Sequence, residues 1–189
     1  THDLQLARGV EHVCILDHGV VIESGPPGQV LKTPTHASTQ ALLAAWLKAN
    51  HPVEFMAAVM NCDIHLTDKL AVYKREADRM GIETVPPCVN RSAATFAVKD
   101  GKILYALGAL KGVGVEAMRL ITQARGDRPF ADMLDFARRV DMRRVGKRPL
   151  EMLARAGAFD MIEESRSKVL KSLDGWVTWS SAVQEAAAS

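Results

Sequence analysis

The sequence predicts a mainly α-helical protein with small β-hairpins, led by a short α/β piece at the N-terminus. Three observations carry that expectation. Apolar residues recur at three- and four-residue spacings from about residue 36 onward, the period of a helix face. Short apolar runs bracket a turn at Asp17-His18-Gly19 and the tight-turn dipeptide Asp100-Gly101. Glycine and proline then cut the helical pattern at Gly112–Gly114, Gly126–Pro129, Gly146 and Gly157, so the helices are short.

Taken in order, residues 3–9 read as a short helix ended by Gly9, and Val13–Leu16 with Val20–Ile22 form a hairpin around Gly19. Ser24-Gly25-Pro26-Pro27-Gly28 is a strong stop. Leu42, Leu43, Trp46 and Leu47 place a helix over about 36–50, and Pro52 opens the next, where a missing N–H costs little. Thr67 is the expected cap of a third helix, with Leu66, Leu70, Tyr73, Ala77 and Met80 on one face and Gly81 at its end. Thr95–Val98 and Lys102–Tyr105 form a second hairpin, and from Leu107 the pattern is helical almost to the end. No internal repeat of fixed period is present.

The 189 residues are 48% hydrophobic and 24% charged, which excludes disordered, collagen-like and low-complexity chains. No apolar run approaches the roughly 20 residues that cross a bilayer, so no membrane insertion is expected. The N-terminus carries no signal-peptide pattern. Three dispersed cysteines, Cys14, Cys62 and Cys88, suit a reducing cytoplasm. Charge is uneven: residues 105–171 hold 14 basic and 9 acidic side chains, the segment where a polyanion would bind.

The informative motif is Leu107-Gly108-Ala109-Leu110-Lys111-Gly112-Val113-Gly114-Val115-Glu116-Ala117-Met118. Two glycines permit a tight turn and leave no side chain between its N–H groups and a ligand. The helix starting near Gly114 aims unpaired donors and a positive dipole end at the same point, which suits a phosphate oxygen. Val113 is the expected buried hinge. This pattern resembles a helix-hairpin-helix, a module that holds a nucleic-acid backbone without reading sequence. It makes the expected fold a helix-hairpin-helix type helical domain following the short α/β piece. The plain alternative is a helical corner, a structural scaffold whose glycines serve turns alone. Basic residues downstream (Arg138, Arg139, Arg143, Arg144, Lys147, Arg148 and Arg155) favour the binding reading. Against it stand local ion pairs, Arg148 with Glu151 and Glu151 with Arg155. Phe130, Phe136 and Phe159 sit at core-like positions, not on a single-strand stacking platform.

From about residue 45 to 189 the chain resembles the bacterial DNA polymerase III alpha subunit, the C-family replicative polymerase. The likeness rests on Trp46-Leu47-Lys48-Ala49-Asn50-His51-Pro52-Val53-Glu54-Phe55-Met56-Ala57-Ala58 and Thr67-Asp68-Lys69-Leu70. Pro86-Pro87-Cys88-Val89-Asn90-Arg91-Ser92, Lys111-Gly112-Val113-Gly114 and Ala156-Gly157-Ala158-Phe159-Asp160 follow in the family's order. The resemblance implies the end of the polymerase fingers over 45–104, a DNA-gripping helix-hairpin-helix segment over 105–160 and a C-terminal helix over 161–189. It implies that Lys111, Gly112, Val113 and Gly114 contact a phosphate, with Arg143, Arg144, Lys147 and Arg148 as electrostatic support. The implied partners are duplex DNA, the remaining polymerase domains and replisome subunits. The pattern departs from the commonest hairpin in placing Ala117 three residues after the second glycine rather than four.

Residues 1–44 resemble instead the C-terminal end of an ABC transporter ATPase, on Thr1-His2-Asp3, Leu16 to Pro27 and Thr33 to Leu42. There His2 would match the switch-loop histidine that senses the nucleotide. A remnant of such an ATP-binding subunit is the third reading. Two likenesses meeting between Ala37 and Trp46 suggest a reading frame that joins pieces of two genes.

Neither resemblance brings its catalytic parts. No Asp-x-Asp occurs to hold a metal pair, and no Gly-x-x-x-x-Gly-Lys-Ser/Thr loop occurs to hold ATP. Asp132 and Asp135 share a helix face but read as surface residues. No cofactor is expected in this chain, Mg²⁺ belonging only to the complete polymerase. His12-x-Cys14 and Cys62-Asp63-x-His65 each offer two metal ligands where a tetrahedral site needs four, so no metal is expected. Trp176 and Trp179, beside Val169, Leu173 and Val183, read as packing residues.

Overall fold

The computed structural model describes residues 10–188 and divides into two compact units, one ending at Phe55 and the other beginning at Met56. The helix expected over 3–9 and His2 lie outside the described residues.

In the first unit, β1 (Val13–Asp17) and β2 (Val20–Gly25) form the expected antiparallel hairpin. His18 and Gly19 both take positive φ, 48° and 82°, the geometry of a two-residue turn matched to strand twist. Helix α1 (Pro27–Val30) follows the proline stop, and α2 (Ala37–Asn50) fills the span that its leucines and Trp46 predict. The imidazole of His36 caps α2 by accepting from the Ser38 amide at 3.2 Å. Glu23 fastens the approach to α2. Its carboxylate accepts from the Thr35 amide at 2.8 Å and the His36 amide at 3.3 Å. These bonds, that from the Thr35 amide foremost, hold its pKa down to about 2.

Helix α3 (Pro52–Cys62) begins at its proline as expected. In the second unit, α4 (Thr67–Arg79) corrects one detail: Leu66 is the N-cap and Thr67 the first helical residue, with no side-chain cap bond. Its predicted face buries Leu70 and Ala77, while Leu66 stays 48% exposed. Strand β3 (Thr84–Val85) pairs parallel with β5 (Lys102–Leu104), and β5 pairs antiparallel with β4 (Ala97–Lys99). Asp100 and Gly101, at φ 52° and 70°, make the expected two-residue turn.

Beyond β5 comes a correction to the helical pattern. Leu107–Ala109 is a single 3₁₀ turn, not an α-helix. It is strapped to the segment before β4 by Leu107 N–H to Ala93 O and Gly108 N–H to Ala94 O, each 3.0 Å. Helices α5 (Val115–Arg125), α6 (Met133–Arg139), α7 (Met142–Val145), α8 (Lys147–Arg155) and α9 (Arg166–Ala188) follow. They pack around Phe136, whose ring meets those of Phe130 and Phe159 edge-to-face at 4.9 and 5.1 Å. Val169 and Leu173 of α9 close this core, and Trp176 and Trp179 pack against it partly buried. The sealed α9 residue Ser180 donates to Val140 O at 2.8 Å and accepts from Met142 N–H at 3.2 Å. That pair pins the break between α6 and α7.

Candidate nucleic-acid interface

The turn after the 3₁₀ segment is closed by Val113 N–H to Leu110 O at 3.0 Å. Gly112 sits at φ 76°, a conformation costly for residues with a Cβ, and the Val113 side chain is buried in the core. Lys111, Gly112 and Gly114 are exposed. Val113 thus anchors a bend whose outer surface is bare backbone. Gly114 caps α5 through its backbone alone, and a Cβ there would meet nothing within 4 Å. The amides at the start of α5 are therefore open to an acceptor. Glu116, the carboxylate in that first turn, is turned to Arg119 at 2.8 Å.

Arg148 lies beside the bend. A Cβ built on Gly112 would lie 3.6 Å from its Nε and 3.9 Å from its Nη2, so the guanidinium lies against the bare face of the bend. Helix α7 packs on both α5 and α8, which gathers the three basic elements into one body. The α8 side of that body is an open groove of about 660 Å³ lined by Lys147, Arg148, Glu151, Met152 and Arg155.

The expected residues are placed unequally. Lys111, Arg143, Arg144 and Arg148 are exposed, and among the described residues no carboxylate pairs with their side chains. Arg148 alone of the four comes within 4 Å of the Gly112 Cβ position. Lys147 is engaged by Asp174 of α9 at 2.6 Å. The carboxylate accepting from it pushes its pKa up. Neither ion pair weighed against binding, Arg148 with Glu151 or Glu151 with Arg155, forms among the described residues.

Two arginines that a count of charge places on the basic face have other work. Arg139 is largely covered: it donates to the carbonyls of Ala124, Arg125 and Arg128, pairs with Asp135 at 3.0 Å, and stacks over Phe130 at 4.6 Å. Arg125 donates to Val89 O at 2.9 Å and Ser92 O at 2.6 Å. Sequence reasoning missed both, and a lone basic residue in a helical pattern carries no signal that distinguishes a carbonyl clamp from a surface charge. It also missed Gly108, where a Cβ would lie 2.6 Å from Ala94 O and 2.7 Å from Val115 Cγ2.

Carboxylates are equally committed. Asp132 caps α6 by accepting from Asp135 N–H at 2.7 Å. Asp135 accepts from Arg139, Arg128 and the Ala131 amide; these bonds outweigh desolvation and lower its pKa. The two do not fit a metal pair. Among the described residues no three His, Cys, Asp or Glu side chains cluster to hold a metal ion. His12 and Cys14 instead both meet the Ser24 hydroxyl, at 2.7 and 3.5 Å. No described helix is long and apolar enough to cross a membrane.

Residues 81–169 match the family described as helix-hairpin-helix motif. The chain is 50% identical over 144 residues to the DNA polymerase III subunit alpha of Caulobacter vibrioides, covering 74% of this chain and 13% of that protein. Identity to the subunit of Thermus aquaticus is 41% over 155 residues, 80% of this chain and 13% of that protein. For Bacillus subtilis it is 38% over 143 residues, 74% and 13%. The chain spans about an eighth of the length of the curated relatives it matches.

Proposed function

From a chain homologous over 74% to 80% of its length to DNA polymerase III alpha subunits, we propose that residues 107–155 grip the sugar–phosphate backbone of duplex DNA without reading its sequence. The grip serves replication, and its neighbours are the remaining polymerase domains and replisome subunits. The observation that carries this reading is the exposed Lys111–Gly114 bend with the Arg148 guanidinium laid against Gly112. Peptide N–H groups at the bend and the first turn of α5 donate to a phosphate oxygen. Lys111 and Arg148 supply charge from either side. Arg143 and Arg144 on α7 add to the field. Contacts of this kind position a duplex and carry no base information. The metal ions of polymerase chemistry belong, in this reading, to domains other than this one.

The test is fluorescence anisotropy of a duplex of about 20 base pairs with the full chain at two salt concentrations. Affinity falls steeply with salt, log K changing by about 0.9 per decade for each phosphate neutralised. Lys111→Glu and Arg148→Glu each weaken binding about tenfold or more at low salt, and scrambling the duplex sequence changes nothing. If Lys111→Glu binds as tightly as the unaltered chain, the bend is not the contact.

A further inference from the structure

Beside the bend lies a cleft of about 190 Å³. One wall is Gly108 to Val113, and the other is Ile64, His65 and Thr67, from the turn after α3 and the first residue of α4. The lining residues with polar side chains are Lys111, His65 and Thr67. All three residues are exposed, and none has a hydrogen-bond or ion-pair partner among the described residues. No carboxylate lines the cleft. Of the acidic residues adjacent in sequence, Asp63 is held by the Tyr73 hydroxyl at 2.5 Å and Lys69 at 3.2 Å, and Asp68, exposed in the first turn of α4, does not line the cleft.

We propose that this cleft is a second phosphate subsite, in which His65, Thr67 and Lys111 hold a phosphodiester of the nucleic-acid strand that the glycine bend grips. The inference rests on the reading above and adds residues from outside the helix-hairpin-helix segment. Size and chemistry select the ligand. The cleft is smaller than the roughly 300–1,000 Å³ of small-molecule pockets and is sufficient for a tetrahedral anion. A hydroxyl, an ammonium and an imidazole with no competing carboxylate suit a phosphate and no cation. Lys111, at the lip between bend and cleft, serves both positions.

The subsite ties binding to pH. The titratable groups lining the cleft are His65 and Lys111. A phosphate beside His65 interacts more favourably with imidazolium than with neutral imidazole, so binding at this subsite strengthens as pH falls.

The experiment measures affinity of the full chain for a 20-base-pair duplex at pH 6 and pH 8 across a salt series, with His65→Gln, Thr67→Val and Lys111→Glu. The unaltered chain binds several-fold more tightly at pH 6, and His65→Gln removes most of that difference. The same substitution lowers the salt slope at pH 6 by about 0.9. Thr67→Val weakens binding about five-fold at both pH values, the loss of one hydrogen bond to a ligand. If His65→Gln keeps the pH difference and the slope while Lys111→Glu weakens binding, the subsite is refuted and the grip stands. If the unaltered chain does not bind duplex at all, both proposals fall.

Discussion

Gly108 shows how one position can fix the candidate site through close packing alone. Its Cα faces Ala94 O and the Val115 side chain so closely that a methyl group there would lie 2.6 and 2.7 Å from them. The same residue donates to Ala94 O. A Gly108→Ala substitution must push the 3₁₀ turn off its strap or force Val115, the first residue of α5, to move. Overpacking of this kind costs about 1–3 kcal/mol. Urea unfolding of the variant should show a lower midpoint at unchanged slope. Because the displaced residues frame the bend, duplex affinity should fall as well, although Gly108 contributes no charge. Unchanged stability would mean that the turn is looser than its geometry indicates.

Helix α8 meets α9 through Lys147 and Asp174, a pair exposed enough to exchange partners at little cost. In the free chain Asp174 occupies the ammonium that the proposed interface counts as its own. Asp174→Asn frees Lys147 and removes a negative charge from the basic body. Duplex affinity at low salt should rise about two- to five-fold, and the gain should shrink as salt screens it. An unchanged affinity would place Lys147 outside the contact. Legibility also divides at this scale. The Asp100-Gly101 turn was readable because the positive φ it needs is a local property of those residues, whereas the first turn is one residue shorter than the sequence indicates, Asp17 pairing with Val20 and His18 taking positive φ. Helices α2 and α3 were readable from period and proline. The arm before the glycine bend was not, because the sequence pattern of a 3₁₀ turn and of an α-helix is the same over three residues. The break between α6 and α7 depends on Ser180, 38 residues beyond Met142, and no local window contains it. At the candidate site, the glycine turn was legible because conformational freedom is a residue property. That Arg148 reaches Gly112 while Arg139 turns inward is set by how α8 and α6 pack.

The two units differ in how much apolar surface they bury. Within the described residues of the first, the buried hydrophobic side chains are Ile15 and Val30, while Leu16, Val20, Val21 and Leu47 are each more than 40% exposed. The second unit encloses a continuous core from Val89 to Leu173 around three phenylalanines. Since burial of apolar area is the main favourable term in folding, the first unit should unfold at lower denaturant than the second. The three tryptophans permit a direct measurement, because Trp46 lies in the first unit and Trp176 and Trp179 in the second. A chain carrying Trp176→Phe and Trp179→Phe reports the first unit by fluorescence, and a Trp46→Phe chain reports the second. In urea the Trp46 signal should change first, with a shallow slope that reflects a small exposed area. The Trp176 and Trp179 signal should follow as a steeper cooperative transition. Duplex binding, proposed for the second unit, should persist at urea concentrations where the Trp46 transition is complete. Coincident transitions in the two chains would show that the units fold as one, and that the exposed side chains of the hairpin and α2 do not mark a weaker unit.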